Sequence, residues 1–166
     1  NTDGRRINGI IPGEAWPGQV VWTEKLLEIG VDIKDILFTR DEPYHTRAES
    51  DSYLDVAEQK GFRSAIVLTQ GHQLLRAMLG TVKSMQKNNK WMRVYALCPR
   101  STSLTKEVYG SQGEKSMQRG DHIGEELMRI PLYQEKGDLA TFNDLFRYLA
   151  DRENIVVRDI KGKFGR

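Results

Sequence analysis

The chain has 166 residues, of which 39% are hydrophobic and 29% charged, and its formal net charge is only +2. This length fits one globular domain with a core of its own, and a charge so near neutral gives no reason to expect a nucleic-acid partner. A single cysteine, Cys98, excludes an internal disulfide framework, and there is no run of about 18 apolar residues that could span a membrane.

Four short apolar runs alternate with segments of helical periodicity. The third run reads Ala-Ile-Val-Leu-Thr. It lacks the polar alternation of a half-exposed strand, which indicates a strand covered on both faces of a parallel sheet. We predict that all four runs are parallel neighbours in one sheet. They are Ile7–Ile11, Ile36–Thr39, Ala65–Thr69 and Arg93–Cys98.

The segments between the runs carry apolar residues at helical spacing, as in Leu74, Ala77, Met78 and Val82. Strands that alternate with helices of this length predict βαβ units. The expected fold is therefore α/β: a three-layer αβα sandwich, Rossmann-like, with a mainly parallel sheet. We assign residues 1–150 to this single domain and residues 151–166 to a basic C-terminal tail, which we expect to be solvated rather than to act as a binding arm.

The pattern changes after Cys98. Residues 99–118 are polar and rich in Gly, Ser and Thr, so we predict a long loop that lies over the carboxyl edge of the sheet and covers the site. Two helices should follow. Pro131 is expected to end or kink the first, and Thr141 with Asp144 predicts a capping box at the start of the second.

The strand-to-helix loops are where we expect a ligand. Right-handed crossovers place these loops on one edge of the sheet, beyond the carboxyl ends of the strands, where helix N-termini favour anions. Arginine side chains there can hold phosphate or carboxylate through forked hydrogen bonds. The candidate ligand-binding residues are Gly13, Thr46, Arg47, Glu49, Thr69, Gln70, His72, Gln73, Arg76 and Arg100.

His72 and Arg76 are four residues apart and share one helical face. The positive end of the helix dipole should keep His72 mainly neutral, and the alternative for His72 is a capping or surface role. Replacing Arg76 by Ala should weaken an anionic ligand by about 1.5–3 kcal/mol and leave the fold nearly intact. Together with Thr46, Arg47, Thr69 and Arg100, these two side chains should converge on one cleft.

Other chemistry has less support in the sequence. His45 and His122 have no partners at ligand spacing, so we expect no metal site. Cys98 ends a strand and is interpreted as a buried thiol rather than a nucleophile. Glu126 and Arg129 are interpreted as a structural helix pair. The sequence holds neither a GxGxxG fingerprint nor a Walker loop, which leaves no sequence case for NAD or ATP.

The segment 66–77, Ile-Val-Leu-Thr-Gln-Gly-His-Gln-Leu-Leu-Arg-Ala, resembles the signature of the YdcF/SanA-like family. In that family a hydrophobic strand ends in Thr or Ser and is followed by an aromatic–His pair and then Arg-Ala. His45–Glu49 is similar to the family's second motif, and residues 126–130 and 136–140 are similar to the C-terminal part of some members. The resemblance covers residues 7–150, and Thr69 and Arg76 match the signature directly.

Two positions depart from the family pattern. Gln73 stands three residues before Arg76, where the family has its His, and His72 stands where the aromatic residue would be. Members also begin with a strand and a Gly-rich turn ahead of the segment that matches Ile7–Gly13. The resemblance therefore implies that this N-terminal strand is absent from the present sequence, which begins with Asn1 rather than methionine.

The resemblance implies a Rossmann-like domain, and most members of the family are uncharacterised. Several are associated with the bacterial cell envelope, and a nucleotide-like cofactor such as S-adenosylmethionine has been proposed within the family. We expect a cytoplasmic location for the chain as given, or membrane association if an upstream anchor has been removed.

Two functions remain open at this stage. The first is a domain that binds a small anionic or nucleotide-like molecule without chemistry of its own. The second is a transferase or hydrolase acting on a phosphorylated or activated substrate, such as an S-adenosylmethionine- or nucleotide-linked group. In that case His72 would be the acid or base, Glu49 would orient it, and Arg76 and Arg100 would clamp the charge. Nucleic acid is not expected as a partner, and the oligomeric state stays open.

Overall fold

The computed structural model describes residues 19–39, 46–99, 103–109 and 116–153. This part of the chain is a mixed α/β structure in which helices and short strands follow one another. The elements in chain order are α1 (Gln19–Glu28), a 3-10 turn (Ile33–Asp35), α2 (Thr46–Gln59), β1 (Ser64–Leu68), a second 3-10 turn (Gly71–Gln73), α3 (Leu74–Lys87), β2 (Arg93–Leu97), β3 (Glu107–Tyr109), β4 (Ser116–Gln118), α4 (Asp121–Glu135) and α5 (Phe142–Arg152).

Strands β1 and β2 form a parallel pair whose register runs from Ser64↔Arg93 to Leu68↔Leu97. The prediction of a parallel pairing between the third and fourth runs is confirmed, with strand ends shifted by one residue. Among the described residues the parallel sheet contains only these two strands, so a full Rossmann sheet is not seen. Ile7–Ile11 lies outside the described residues.

The prediction of a strand at Ile36–Thr39 is wrong for the described part of the chain. Ile36 has extended backbone angles, φ −92° and ψ 113°, but the segment is not assigned to a strand. The physical reason is that strand structure needs a neighbour to accept and donate its ladder hydrogen bonds, and the segment pairs with neither β1 nor β2.

Helices cover one face of the β1–β2 pair. Ala65 and Val67 point to this face and pack against a core in which Leu79 and Val94 are fully buried. On the other face Ile66 and Leu68 are each 66% exposed. The continuous apolar run predicted coverage on both faces, and the described residues provide it on one. The core is built from α2, α3, α4 and α5 and contains Leu54, Met78, Val82, Met85, Ile130, Leu145 and Tyr148.

The start of α5 follows directly from the sequence. Thr141 Oγ1 accepts a hydrogen bond of 3.1 Å from the Asp144 N–H, and the Thr141 N–H donates one of 2.9 Å to Asp144 Oδ2. Two N–H groups that a helix start leaves without an intrahelical acceptor are thereby satisfied. The predicted capping box is confirmed.

Helix α4 does not end at Pro131. It continues to Glu135 with the proline inside it. Of the two outcomes expected for Pro131, an end to the helix is therefore wrong, and a kink stays a prediction. A proline removes the hydrogen bond to the carbonyl four residues earlier, here that of Leu127. Leu127 and Pro131 both lie on the exposed side of α4, where water can hydrate that carbonyl.

The interpretation of 99–118 as a loop is wrong for two short stretches. Glu107–Tyr109 pairs antiparallel with Ser116–Gln118, and Val108 is buried. Helix α4 contacts this strand pair, since Nε2 of the buried His122 lies 3.1 Å from the Val108 carbonyl. Within 99–118, residues 100–102 and 110–115 lie outside the described part.

Arg152 belongs to α5 and not to a solvated tail. Its Nη1 donates to the Val94 carbonyl at 2.7 Å, and its guanidinium lies 4.5 Å from the ring centroid of Tyr95. The remainder of the predicted tail, from residue 154, lies outside the described residues. None of the described helices combines the length and apolar character needed to cross a bilayer.

Candidate functional site

A cavity of about 990 Å³ runs along β1 and extends past its carboxyl end to Thr69 and Gln70. Polar side chains from three elements line that end: Glu49 from α2, Thr69, Gln70 and Gln73 from the turn after β1, and Arg76 from α3. Parallel strands direct their following loops to one edge, which explains why these residues meet. Apolar side chains, among them Trp22, Leu37 and Phe62, line the rest of the cavity.

The chain after β2 also contributes residues to the lining of this cavity. Pro99, Lys106 and Arg119 line the same cavity, which agrees with the expectation that the segment after Cys98 reaches the carboxyl edge. Arg119 is buried, its N–H donates to the Lys106 carbonyl at 2.9 Å, and its Nη1 donates to the Ser103 carbonyl. The cavity therefore has two cationic side chains on a wall that the sequence analysis did not include.

Local hydrogen bonds fix the turn between β1 and α3. The Thr69 hydroxyl donates to Gln73 Oε1 at 3.3 Å, and the Gln73 N–H donates to the Gln70 carbonyl at 2.9 Å. The Leu74 N–H at the start of α3 donates to the Gly71 carbonyl, so the 3-10 turn runs directly into the helix. Gln70 and Gln73 both line this end of the cavity.

Arg76 is positioned by a buried carboxylate. Its guanidinium forms a forked pair with Glu126, through Nε to Oε2 and through Nη2 to Oε1 at 3.3 Å. Arg129 Nη1 also donates to Glu126 Oε1, at 3.2 Å, so the structural pair predicted within α4 is present. Arg129 Nη2 also lies 3.7 Å from Glu125 Oε2, so the cluster holds two guanidinium groups and two carboxylates, and Glu126 is shared between the two arginines.

His72 lies beside the cavity and stacks on His122. The ring centroids are 5.5 Å apart with an interplanar angle of 29°. His122 Nε2 must carry a hydrogen because the Val108 carbonyl 3.1 Å away can only accept. His72 Nδ1 is buried, and no described residue forms a hydrogen bond with it.

Burial is the main cause that lowers the pKa of His72, and the neighbouring His122, Arg119 and Arg76 lower it further while Glu126 opposes them. A neutral His72 agrees with the prediction. The cause differs, because desolvation and neighbouring cations act here rather than the helix dipole alone.

The structure brings five of the predicted site residues together at the cavity: Glu49, Thr69, Gln70, Gln73 and Arg76. Arg47 points elsewhere, since its Nη1 pairs with Asp138 Oδ1 at 2.6 Å. Positions 47 and 49 lie about 200° apart around a helix with 3.6 residues per turn, so they cannot face the same cavity. The convergence prediction is therefore wrong for Arg47, and His72 adjoins the cavity without lining it.

Three predicted residues lie where their side chains are not described. Thr46 is the first residue of α2, but its side chain lies outside the described part, as do Gly13 and Arg100 entirely. The proposed orientation of His72 by Glu49 has no contact to support it among the described residues. Glu126 is the carboxylate whose charge acts on His72.

The sequence analysis missed Lys106 and Arg119 as site residues. Both lie in or next to the segment that was interpreted as a loop, and no periodicity marks them. Gly120 and Asp121 directly before the apolar stripe of α4 are a local signal of a helix start, but they do not reveal which strand that helix approaches. Only the pairing of β3 with β4 places them at the cavity.

Two further properties limit the chemistry of the site. Burial raises the pKa of Tyr53, which lines the cavity, to about 12, so its hydroxyl stays protonated near neutral pH and donates to Thr81 Oγ1 at 2.9 Å. Over the described ranges, no cluster of three or more His, Cys, Asp and Glu side chains is arranged to hold a metal ion.

Comparisons with protein-family models, with curated proteins and with solved structures give no match to this chain.

Proposed function

We propose that the carboxyl end of the β1 cavity binds a small anionic or nucleotide-like molecule. The observation that carries the proposal is the convergence of Arg76, Arg119 and Lys106 on one end of one cavity. The carboxylate of Glu49 also lines the cavity, and that of Glu126 pairs with Arg76. Three cationic side chains therefore stand against two carboxylates, and this end of the cavity favours anions.

The hydrogen-bonding groups support the same ligand class. Gln70 and Gln73 line the cavity and present side-chain amide donors. Phosphate and carboxylate oxygens only accept hydrogen bonds, which matches this supply of donors. Glu126 holds the Arg76 guanidinium in a fixed plane, so less side-chain entropy is lost when an anion binds.

The wider assignment is part of this proposal. A Rossmann-like three-layer sandwich, kinship with the YdcF/SanA-like family and a role in the bacterial cell envelope are consistent with the parallel β1–β2 pair and with Thr69 and Arg76 at the cavity. S-adenosylmethionine is a candidate ligand on the same grounds, as the resemblance implies.

A second candidate is an enzyme that acts on a phosphorylated or activated substrate. The observation that favours it is His72, whose imidazole is kept neutral and whose buried Nδ1 lacks a hydrogen-bond partner among the described residues. A neutral imidazole beside an anion site can accept a proton during group transfer. Arg76 and Arg119 would then stabilise the charge of the transferred group.

The test is a calorimetric titration of the full chain with inorganic phosphate, pyrophosphate, adenosine monophosphate and S-adenosylmethionine. Lys106 is exposed, so Lys106→Ala should leave the fold intact and weaken anion binding about tenfold, the effect of one lost charged hydrogen bond. Lys87→Ala, at the far end of α3, is the matched control and should leave affinity unchanged. Equal affinity of the wild type and both variants for every bound anion would exclude the site.

The variant His72→Gln distinguishes the two candidate functions. For a binding domain, this substitution leaves the affinity for the anion within a few-fold of the wild type. For an enzyme, it abolishes turnover of phosphate esters in an assay for released phosphate while binding persists.

A further inference from the structure

The cavity beside β1 is larger than a bound phosphate or carboxylate group would fill. Its volume of about 990 Å³ lies at the upper end of the range for pockets that hold organic ligands of drug size. The cationic side chains Arg76, Lys106 and Arg119 belong to one end of it. An anion held there leaves most of the cavity to other parts of the same ligand.

The cavity follows the edge of β1 that faces away from β2. It is lined by side chains from both faces of the strand, namely Ala65, Ile66, Val67 and Leu68. The cavity therefore extends around that edge. The outer edge of β2 is closed instead by α5, because the Val94 N–H donates to the Tyr148 hydroxyl at 2.6 Å.

The lining along the strand is mainly apolar. Phe62 precedes β1 and Gln70 follows it, and both line the cavity, so the lining spans the whole strand, which has five residues and a length of roughly 17 Å. Trp22 and Leu37 add apolar surface from outside the sheet. Apolar groups of a ligand gain free energy there by leaving water.

The same lining favours an alkyl chain over a nucleoside as the second part of the ligand. A nucleoside carries hydroxyl groups and ring nitrogens, and their loss of hydration costs free energy unless each finds a partner. Tyr53 and Thr81 line the cavity, but the Tyr53 hydroxyl already donates to Thr81 Oγ1 at 2.9 Å. The side-chain amides of Gln70 and Gln73 belong to the turn at the carboxyl end. An alkyl chain needs no hydrogen-bond partner along β1.

We propose that the ligand of this site is an anionic amphiphile, with its charged head at Arg76, Lys106 and Arg119 and an alkyl chain along β1. The inference rests on the proposed function, because it takes the anion site as given, and it narrows the ligand class. Charge complementarity places the head at the carboxyl end of the strand. The chain follows from the continuity of the apolar lining with that end.

The test is a calorimetric titration of the full chain with ethyl, hexyl and octyl phosphate, each below the concentration at which it forms micelles. Octanol and adenosine monophosphate are the reference ligands. Affinity should rise by about fourfold for each methylene that is buried, so we expect octyl phosphate to bind at least about a hundredfold more tightly than ethyl phosphate. Octanol lacks the charge and should bind at least about tenfold more weakly than octyl phosphate.

The reference ligands separate failure of this proposal from failure of the anion site. Equal affinities for ethyl and octyl phosphate would overturn the proposal and leave the anion site standing, because the chain would then have no place along β1. Tighter binding of adenosine monophosphate than of octyl phosphate would overturn it in favour of a nucleotide. If no phosphate binds, or if octanol binds as tightly as octyl phosphate, the anion site fails and the proposal with it.

Two leucines that are register partners across the sheet supply matched variants. Leu68 is 66% exposed and Leu97 is 54% exposed, so neither substitution by Ser should unfold the chain. Leu68 lines the cavity, whereas Leu97 is not part of its described lining. Leu68→Ser should lower the affinity for octyl phosphate about tenfold and leave that for ethyl phosphate unchanged, and Leu97→Ser should change neither. Equal effects of the two variants on octyl phosphate would mean that the chain does not follow β1, and would overturn the proposal.

Discussion

Replacing Arg76 by Met tests how the anion site is held together. Glu126 has a side chain that is 5% exposed, and Arg76 has one that is 14% exposed, so the forked pair between them is shielded from water. Removing the guanidinium leaves a buried carboxylate that still contacts Arg129 Nη1 at 3.2 Å. Met keeps most of the apolar stem of Arg76, so the loss of charge dominates the effect.

The loss of folding stability expected for Arg76→Met follows from the burial of this ion pair. Breaking a buried ion pair by removing one partner costs about 3–5 kcal/mol, and the remaining contact with Arg129 places Arg76→Met at the lower end, about 3 kcal/mol. For a domain of this size each kcal/mol lowers the melting temperature by about 2–4 °C, so we expect a fall of about 6–12 °C. The expectation drawn from sequence alone, that the fold stays nearly intact without Arg76, is therefore revised.

Urea denaturation followed by tryptophan fluorescence measures the free energy of unfolding. Arg129→Met is the control, because Arg129 binds the same carboxylate from one turn along α4 and is 29% exposed, so its loss should cost less than about 1 kcal/mol. The double variant Arg76→Met with Glu126→Met should be more stable than Arg76→Met alone, since it removes the buried charge. A change below about 1 kcal/mol for Arg76→Met, equal to that of Arg129→Met, would refute the reasoning.

Three further predictions concern stability. Burial lowers the pKa of His72 in the folded state, so the free energy of unfolding should decline as the pH falls below about 6.5 and the unfolded histidine takes up a proton. His72→Gln should reduce that decline in denaturation curves measured between about pH 5 and 7.5. An unchanged pH profile would contradict the lowered pKa of His72. Tyr148→Phe leaves the buried Val94 N–H without its acceptor and should cost about 1–3 kcal/mol in urea; a neutral effect would mean that β2 is not closed on this side. Thr141→Ala removes the cap of α5 and should cost about 1 kcal/mol, measured by thermal unfolding, whereas Thr141→Ser should retain most of the stability.

The local patterns of the sequence determined several features of this protein. The apolar runs at β1 and β2 need a partner on the sheet because of their length and composition, and their parallel pairing was predicted from the helix between them. Thr141 and Asp144 specify their own cap, since the interaction involves only neighbours along the chain. Thr69, Gln70, Gln73 and Arg76 were predicted as site residues because the end of a strand and the start of the next helix fix their position.

The tertiary structure decided the rest. Lys106 and Arg119 reach the cavity through the pairing of two short strands that lack a recognisable pattern. Arg47 was misassigned because its direction around α2 depends on the helix phase, which only the contact with Asp138 reveals. Glu126, in sequence a helix-pair partner, became the counter-ion of Arg76 across fifty residues of chain. Pairings between distant segments depend on how helices and strands pack in space, and residue spacing along one chain does not encode that packing directly.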